Sequence, residues 1–374
     1  MTRQFIAIVA SLPLLALAAP ASAQRPGDKI PGSYICVFDG TITAGQVPAA
    51  AQKAAEAGGG RVTHVYTKAL RGFAVNASAQ GLANMRAKSR SIRYCEQDQV
   101  VMTSQKKGGG TTTPQPAETR PWGIDRVNGG RAGTFATAWI IDTGIQLNHP
   151  DLRVDTQRSV SFVSDRSPND ANGHGTHVAG TVAAIDNEIG VIGVAPGALV
   201  VAIRVLDRSG SGSNSGVIAG VDHVAQNGRA GDVANMSLGG GASSALDTAV
   251  INAAATGVRF VIAAGNSAAN AGNYSPARAN GANIYTVSSF DSNGNLSSFS
   301  NFGNPPIDFS EPGSNINSTW IGSGYRAISG TSMAAPHLAG ILLQVGANGV
   351  VGNGGQINFD KDPIRDTIGV VPAP

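Results

Sequence analysis

Four short segments, IIDTGI, NGHGTHVAG, AAGNS and SGTSMAAPH, follow one another along this chain. They supply a carboxylate (Asp142), an imidazole (His174), a side-chain amide (Asn266) and a hydroxyl (Ser332). Serine-nucleophile acyl transfer needs these groups: a hydroxyl, a base to take its proton, a carboxylate to orient the base, and a donor for the oxyanion. Ser332 lies where Ser329-Gly330-Thr331 turns into an expected helix, among unpaired N–H groups and the positive end of the helix dipole. An ordinary capping serine also sits at such a place. The small residues on both sides, and Pro336 in the first turn, favour close approach of a substrate. His174 is flanked by glycines that let the chain turn and present the ring. His177, three positions on, invites a metal reading, but no Glu, Cys or third His nearby completes a catalytic zinc site; a buried structural role is expected. Asp142 ends the apolar run Trp139-Ile140-Ile141, where a carboxylate can hold His174 in one tautomer.

The elements that must position these groups are legible after Pro121. Short apolar strands are expected at Ala138–Asp142, Leu199–Val205, Val233–Met236, Arg259–Ala263 and Ile284–Ser288. They alternate with helices at His174–Ala184, Ser213–Gln226, Ser243–Thr256 and Thr331–Gln344. Such alternation predicts an α/β domain, a parallel sheet with helices on both faces, whose site lies at the carboxyl ends of the strands. Asp142 and Asn266 each follow such a strand. Residues 28–104 read instead as a small βαββαβ unit of ferredoxin-like α+β type, with strands at Ser33–Phe38, Arg61–Tyr66, Gly72–Val75 and within Ser91–Val101, and helices at Val47–Ala57 and Ala79–Ser89. That arrangement sets its first and last strands side by side, so Cys36 and Cys95 become neighbours. A disulfide and two buried free thiols both remain open. Residues 106–119, with Lys-Lys, Gly-Gly-Gly, Thr-Thr-Thr and two prolines, read as a flexible, protease-accessible linker.

The order Asp, His, Ser with DTG, HGTHVAGT and GTSMAAPH resembles the subtilisin superfamily, and its proteinase K branch in particular, from about Pro121 to Leu343. The earlier region resembles that family's inhibitory pro-domain through IPGSYICVF and YCEQDQVV. The resemblance implies a signal peptide at 1–23, a propeptide at 24–105, the linker at 106–119 and a peptidase domain at 120–374. It implies a self-processing precursor of a serine endopeptidase acting on protein or peptide substrates, with its propeptide as inhibitor and folding aid. Ser237-Leu238-Gly239-Gly240 and Ala263-Ala264-Gly265 resemble the walls of the primary specificity pocket, and Gly210-Ser211-Gly212 the opposing substrate-binding strand. These uncharged walls imply aliphatic or aromatic P1 residues. No cofactor is needed for the chemistry; a structural calcium is implied at Asp308 with the carbonyls of Ala282 and Ile284. The chain departs from the pattern in three places. The stretch from Trp122 to Asp142 is short, Asn214 stands where an aromatic rim residue is common, and nothing after Gly346 matches the usual terminal helices.

The 374 residues suffice for one large domain and one smaller. Arg3, the apolar run from Phe5 to Ala19 and Ala21-Ser22-Ala23 read as a secretion leader, so the product is expected to be extracellular, free of the membrane and monomeric. The net charge of +3 hides an asymmetry: residues 1–111 carry 13 Lys/Arg against 5 Asp/Glu, and the remainder 14 against 19. Opposite charge predicts docking of the two parts. Scattered positive charges with few aromatics among them argue against nucleic acid. Three rivals stand beside the peptidase reading: a catalytically silent binding or inhibitor protein on the same fold, an esterase, and a pro-region acting in trans as an inhibitor.

Overall fold

The structure, a computed structural model, describes residues 24–105 and 111–373. The expected leader and residues 106–110 of the expected linker lie outside the described residues. The N-terminal unit comprises β1 (Lys29–Phe38), α1 (Val47–Ala57), β2 (Arg61–Tyr66), β3 (Gly72–Asn76), α2 (Ala79–Lys88) and β4 (Ile92–Thr103). Its antiparallel strands run in the order β4-β1-β3-β2, the ferredoxin-like order. A separate small core gathers Phe38, Val47, Ala51, Phe73, Val75 and Met85. Cys36 faces Cys95 across β1 and β4, and the two are joined at an S–S distance of 2.00 Å. The disulfide is therefore formed.

The second unit contains α3 (Trp122–Arg126), β5 (Ala138–Asp142), β6 (Arg153–Val154), β7 (Val160–Ser161), α4 (His174–Ala183), β8 (Leu199–Arg204), β9 (Ser211–Ser213) and α5 (Asn214–Asn227). It continues with β10 (Val233–Met236), β11 (Leu238–Gly241), α6 (Ser244–Ala254), β12 (Arg259–Ala263), β13 (Tyr274–Ser275), β14 (Ile284–Phe290) and β15 (Ile307–Pro312). The hairpin β16 (Ile316–Trp320) and β17 (Gly324–Ile328), then α7 (Thr331–Val345), β18 (Gly352–Gln356) and β19 (Thr367–Val370), complete it. Its main sheet runs β18-β19-β15-β14-β12-β10-β5-β8-β6, and every pair from β15 to β6 is parallel. Side-chain alternation divides the core. Trp139, Ile141, Val201 and Ile203 join the cluster containing residues of α5 and α6, whereas Ile140, Val200 and Ala202 join that of α4 and α7. Both faces are covered, so the strands read as unbroken apolar runs.

One region is as the sequence implies and one is not. The divergent tail does not form helices; β19 extends the sheet beside β15, β18 turns back on it, and Ile357, Ile368 and Val370 bury against Phe290 and Leu296. The described part of the expected linker is not loose. Thr113 exchanges backbone hydrogen bonds with Tyr325, and Thr119 N–H donates to the Gly190 carbonyl at 2.9 Å. Extended backbone has unpaired groups that a neighbouring edge can satisfy, whatever the side chains are.

Candidate active site

The sheet of the N-terminal unit does not end at its own boundary. The last residues of β4 run antiparallel between β9 and β11, with Val101 opposite Gly212 on one side and Gly240 on the other. Met102 pairs with Ser211 and Gly239, and Thr103 with Leu238. Thr103 N–H then donates to Gly210 O and Ser104 N–H to Ser237 O, each at 3.0 Å. The expected binding strands are thus occupied by the chain's own segment, as an extended peptide adds to a sheet edge.

At the end of that ladder the Ser104 carbonyl oxygen accepts from Ser332 N–H at 3.2 Å and from Asn266 Nδ2. Asn266 is oriented by a group that the sequence reading passed over. Thr331 N–H and Thr331 Oγ1 both donate to Asn266 Oδ1, at 2.9 and 3.0 Å, which turns Nδ2 toward the Ser104 oxygen. Thr331 Oγ1 in turn accepts from Gly265 N–H at 3.0 Å. Asn301, buried, holds the loop after β12, its Oδ1 accepting from Ser267 and Ala269 and its Nδ2 donating to Ala264 O. Gly330 is fixed by close approach: a Cβ there would stand 2.5 Å from Ser104 O.

Asp142 and His174 meet with no exposed surface, Nδ1 lying 2.7 Å from Asp142 Oδ1. The same oxygen accepts from Thr143 N–H at 2.6 Å. Gly175 allows the contact, since a Cβ there would lie 2.1 Å from Gly144 O. The buried Asp170, absent from the sequence reading, ties both segments together. It accepts from Thr143 Oγ1 on one side and from Gly173 N–H, Thr176 N–H and Thr176 Oγ1 at the start of α4 on the other. Burial pushes its carboxyl up, and these hydrogen bonds oppose the shift. Ser332 Oγ donates to Ser237 O at 3.0 Å, and His174 Nε2 has no hydrogen-bond partner among the described residues. The hydroxyl and the imidazole share the site without the bond that general-base chemistry uses.

A model described as the subtilase family matches residues 138–348. The chain belongs to the subtilase family of serine endopeptidases. It is 40% identical over 360 residues to the extracellular serine proteinase of Thermus sp. (strain Rt41A), covering 88% of this chain and 82% of that one. It is 43% identical over 293 residues to alkaline serine exoprotease A of Vibrio alginolyticus, covering 75% of this chain. The aligned part spans only 52% of the Vibrio protein. A solved cold-adapted subtilisin-like serine proteinase superposes with a TM-score of 0.57 at 40% identity, over 68% of this chain and 98% of that one.

In this subtilase a cavity of about 140 Å³ lies beside Ser104, walled by Gly239, Gly240, Ala263, Ala264 and Gly265, and closed by Tyr274 and Asn301. His177 is structural: fully buried, its Nε2 lies 2.9 Å from Ile316 O and 3.0 Å from Arg326 O, and burial depresses its pKa to about 3. Of the residues implied for calcium, Asp308 is exposed on β15 and its Oδ2 accepts from Thr286 N–H at 2.8 Å, beside the start of β14 where Ala282 and Ile284 lie. Among the described residues no three His, Cys, Asp or Glu side chains converge on a metal position.

Charge complementarity between the two units takes an unexpected form. Among the described residues no ion pair joins them. Instead the few carboxylates of the basic unit cap helices of the other. Asp98 accepts from Ser215 N–H (3.1 Å) and Ser215 Oγ (2.5 Å) at the start of α5, and Glu96 accepts from Ser243 Oγ and Ala245 N–H at the start of α6. Asp222 returns the interaction, accepting from Thr67, Lys68 and Ala69 N–H. Helix N-terminal N–H groups need acceptors in any case, whereas a buried ion pair must first lose its water.

Proposed function

We propose that this subtilase is a secreted serine endopeptidase made as a self-processing zymogen, in which residues 24–104 inhibit and are then cut away at the Ser104–Gln105 bond. One observation carries the reading: the Ser104 carbonyl lies against Ser332 N–H and Asn266 Nδ2, at the end of a substrate-like ladder. Ser332 Oγ leaves the Ser237 carbonyl, attacks the Ser104 carbonyl carbon and passes its proton to His174 Nε2, while Asp142 holds Nδ1 and stabilises the imidazolium. The oxyanion rests on the two donors that already face it. His174 then protonates the Gln105 amine, and water hydrolyses the acyl-enzyme by the same route. The cavity beside Ser104, walled by Gly and Ala, supports aliphatic or aromatic P1 residues in other substrates. Secretion is supported by the leader-like sequence and by the extracellular relative; no helix among the described residues is long and apolar enough to cross a membrane. A calcium ion at Asp308 would rest on one carboxylate and backbone carbonyls, hard oxygen donors suited to that ion, and would stabilise the fold without entering the chemistry.

The test is intact mass of the secreted product, wild type beside Ser332→Ala. Loss of residues up to Ser104 in wild type alone is the expected result. Cleavage in both, or in neither, overturns self-processing. The hydroxyl's bond to Ser237 favours the catalytically silent alternative, and fluorophosphonate labelling of Ser332 decides against that alternative.

A further inference from the structure

A second groove, of about 490 Å³, is walled by Thr103 and Gln105 of the cleft strand and by Asn172, Gly210, Trp320 and Arg326 of the catalytic unit. Met102 lines it as well, so the groove crosses the proposed scissile bond, and Gln105, the first residue after the Ser104 carbonyl, carries it to the leaving-group side. Its single charged wall residue is Arg326. This side chain is half-buried on β17, with its guanidinium carbon 4.8 Å above the Trp320 ring. Stacking of this kind holds a guanidinium flat and leaves its edge donors free. No carboxylate pairs with Arg326 among the described residues, and its Nε is buried without a hydrogen-bond partner.

The platform is fixed relative to the catalytic histidine. Trp320 packs on Gly173, where a Cβ would come within 2.4 Å of the indole. The backbone carbonyl of Arg326 also meets His177 Nε2, three residues after His174 on α4. A rigid, stacked cation with unused donors, lining the same groove as Gln105, favours a negative partner over a positive one.

We propose that Arg326 is a specificity determinant on the leaving-group side, selecting substrates with Asp or Glu at the first or second residue after the scissile bond. The inference rests on the reading of Ser104–Gln105 as the substrate register. It also bears on the chain's own junction, whose sequence continues Lys106-Lys107. Those residues carry the disfavoured sign, so the new N-terminus has no electrostatic reason to rebind once cut.

The experiment uses the mature enzyme and internally quenched peptides that share Val-Met-Thr-Ser before the cut. The two residues after it are Glu-Gln, Gln-Glu, Lys-Gln or Gln-Lys. The readout is the ratio of kcat/KM for Glu over Lys within each enzyme, which cancels any general loss of activity in a variant. Wild type is expected to favour Glu by about 3- to 10-fold, the range for a partly exposed ion pair set against its like-charge counterpart. Arg326→Lys keeps the sign of the preference, Arg326→Gln brings the ratio to about one, and Arg326→Glu inverts it. Half-molar salt compresses the wild-type ratio. A wild-type ratio near one, or a ratio unchanged in Arg326→Gln, overturns the assignment. Product masses locate the cut in each peptide. Cleavage elsewhere than after Ser removes the register, and the inference with it.

Discussion

Gly330 offers a sharp perturbation of the site, because it touches the reacting carbonyl without belonging to the triad. In Gly330→Ala the new methyl would stand 2.5 Å from the Ser104 oxygen and 3.1 Å from Asn266 Nδ2. An ordinary C···O contact is about 3.3 Å, so the carbonyl must retreat by roughly 0.8 Å. Its bond from Ser332 N–H is already 3.2 Å long and does not survive that retreat. Loss of one oxyanion donor costs about 10²–10³ in kcat, a magnitude taken from a related subtilase. The β9 and β11 ladders are untouched, so the expectation is a fall of that size in kcat with KM changed less than about threefold. Steady-state kinetics on a peptide substrate read both constants, and circular dichroism confirms that the variant is folded. Thr331→Val, which keeps shape but removes the hydroxyl holding Asn266 Oδ1, should lose about tenfold. A Gly330→Ala enzyme within fivefold of wild type in kcat refutes the placement of the oxyanion.

Other expectations follow from the same contacts. Asp98→Ala leaves the Ser215 N–H and Oγ at the start of α5 without their acceptor, a loss of about 1–3 kcal/mol. The 24–104 fragment carrying it should inhibit the mature enzyme about 10- to 100-fold more weakly in a Ki titration. His177 and His337 are held neutral by burial, with pKa values depressed to about 3 and about 4. Each therefore contributes stability that is present above its unfolded value of about 6.5 and is lost as pH falls toward the native value. The free energy of unfolding should decline by about 2 kcal/mol per histidine between pH 6.5 and 4.5 in denaturant titrations, and His337→Gln should flatten the slope if it folds. Calcium at Asp308 predicts that chelator lowers Tm in wild type and leaves Asp308→Asn unchanged; equal shifts in both would place any ion elsewhere.

Much of the fold was legible because parallel strands buried on both faces are continuous apolar runs, and helices alternate with them. Trp139-Ile140-Ile141 before Asp142 is such a case. The adjacency of Cys36 and Cys95 followed from topology once four strands and two helices were counted, although their bonding did not. Gly352–Gln356 was not legible: GNGGQ has neither alternation nor apolar residues, and it becomes a strand only because β19 offers an edge. Arg326 and Trp320 could not be paired from sequence, since the hairpin that stacks them has no strand signal of its own. Asp170 and Thr331 escaped for another reason. They act on Thr143 and Asn266, across 27 and 65 residues, through bonds that only the assembled site defines.

On the proposed zymogen reading, the occupied cleft shows how an inhibitory segment need not resemble a good substrate. Ser104 is a small side chain on the wall of a cavity of about 140 Å³, so the strand gains little apolar burial from its P1 residue. Its hold comes from backbone pairing with β9 and β11, from Asp98 and Glu96 on two helix N-termini, and from the Cys36–Cys95 bond anchoring β4 within the N-terminal unit. Most of those contacts lie outside the catalytic centre. A strand retained by its flanks can present a scissile bond to Ser332, be cut, and stay in place with its new carboxylate facing the same two donors. The proposed inhibition and processing would then need no separate binding modes, because the contacts that hold the strand are not the ones that chemistry consumes.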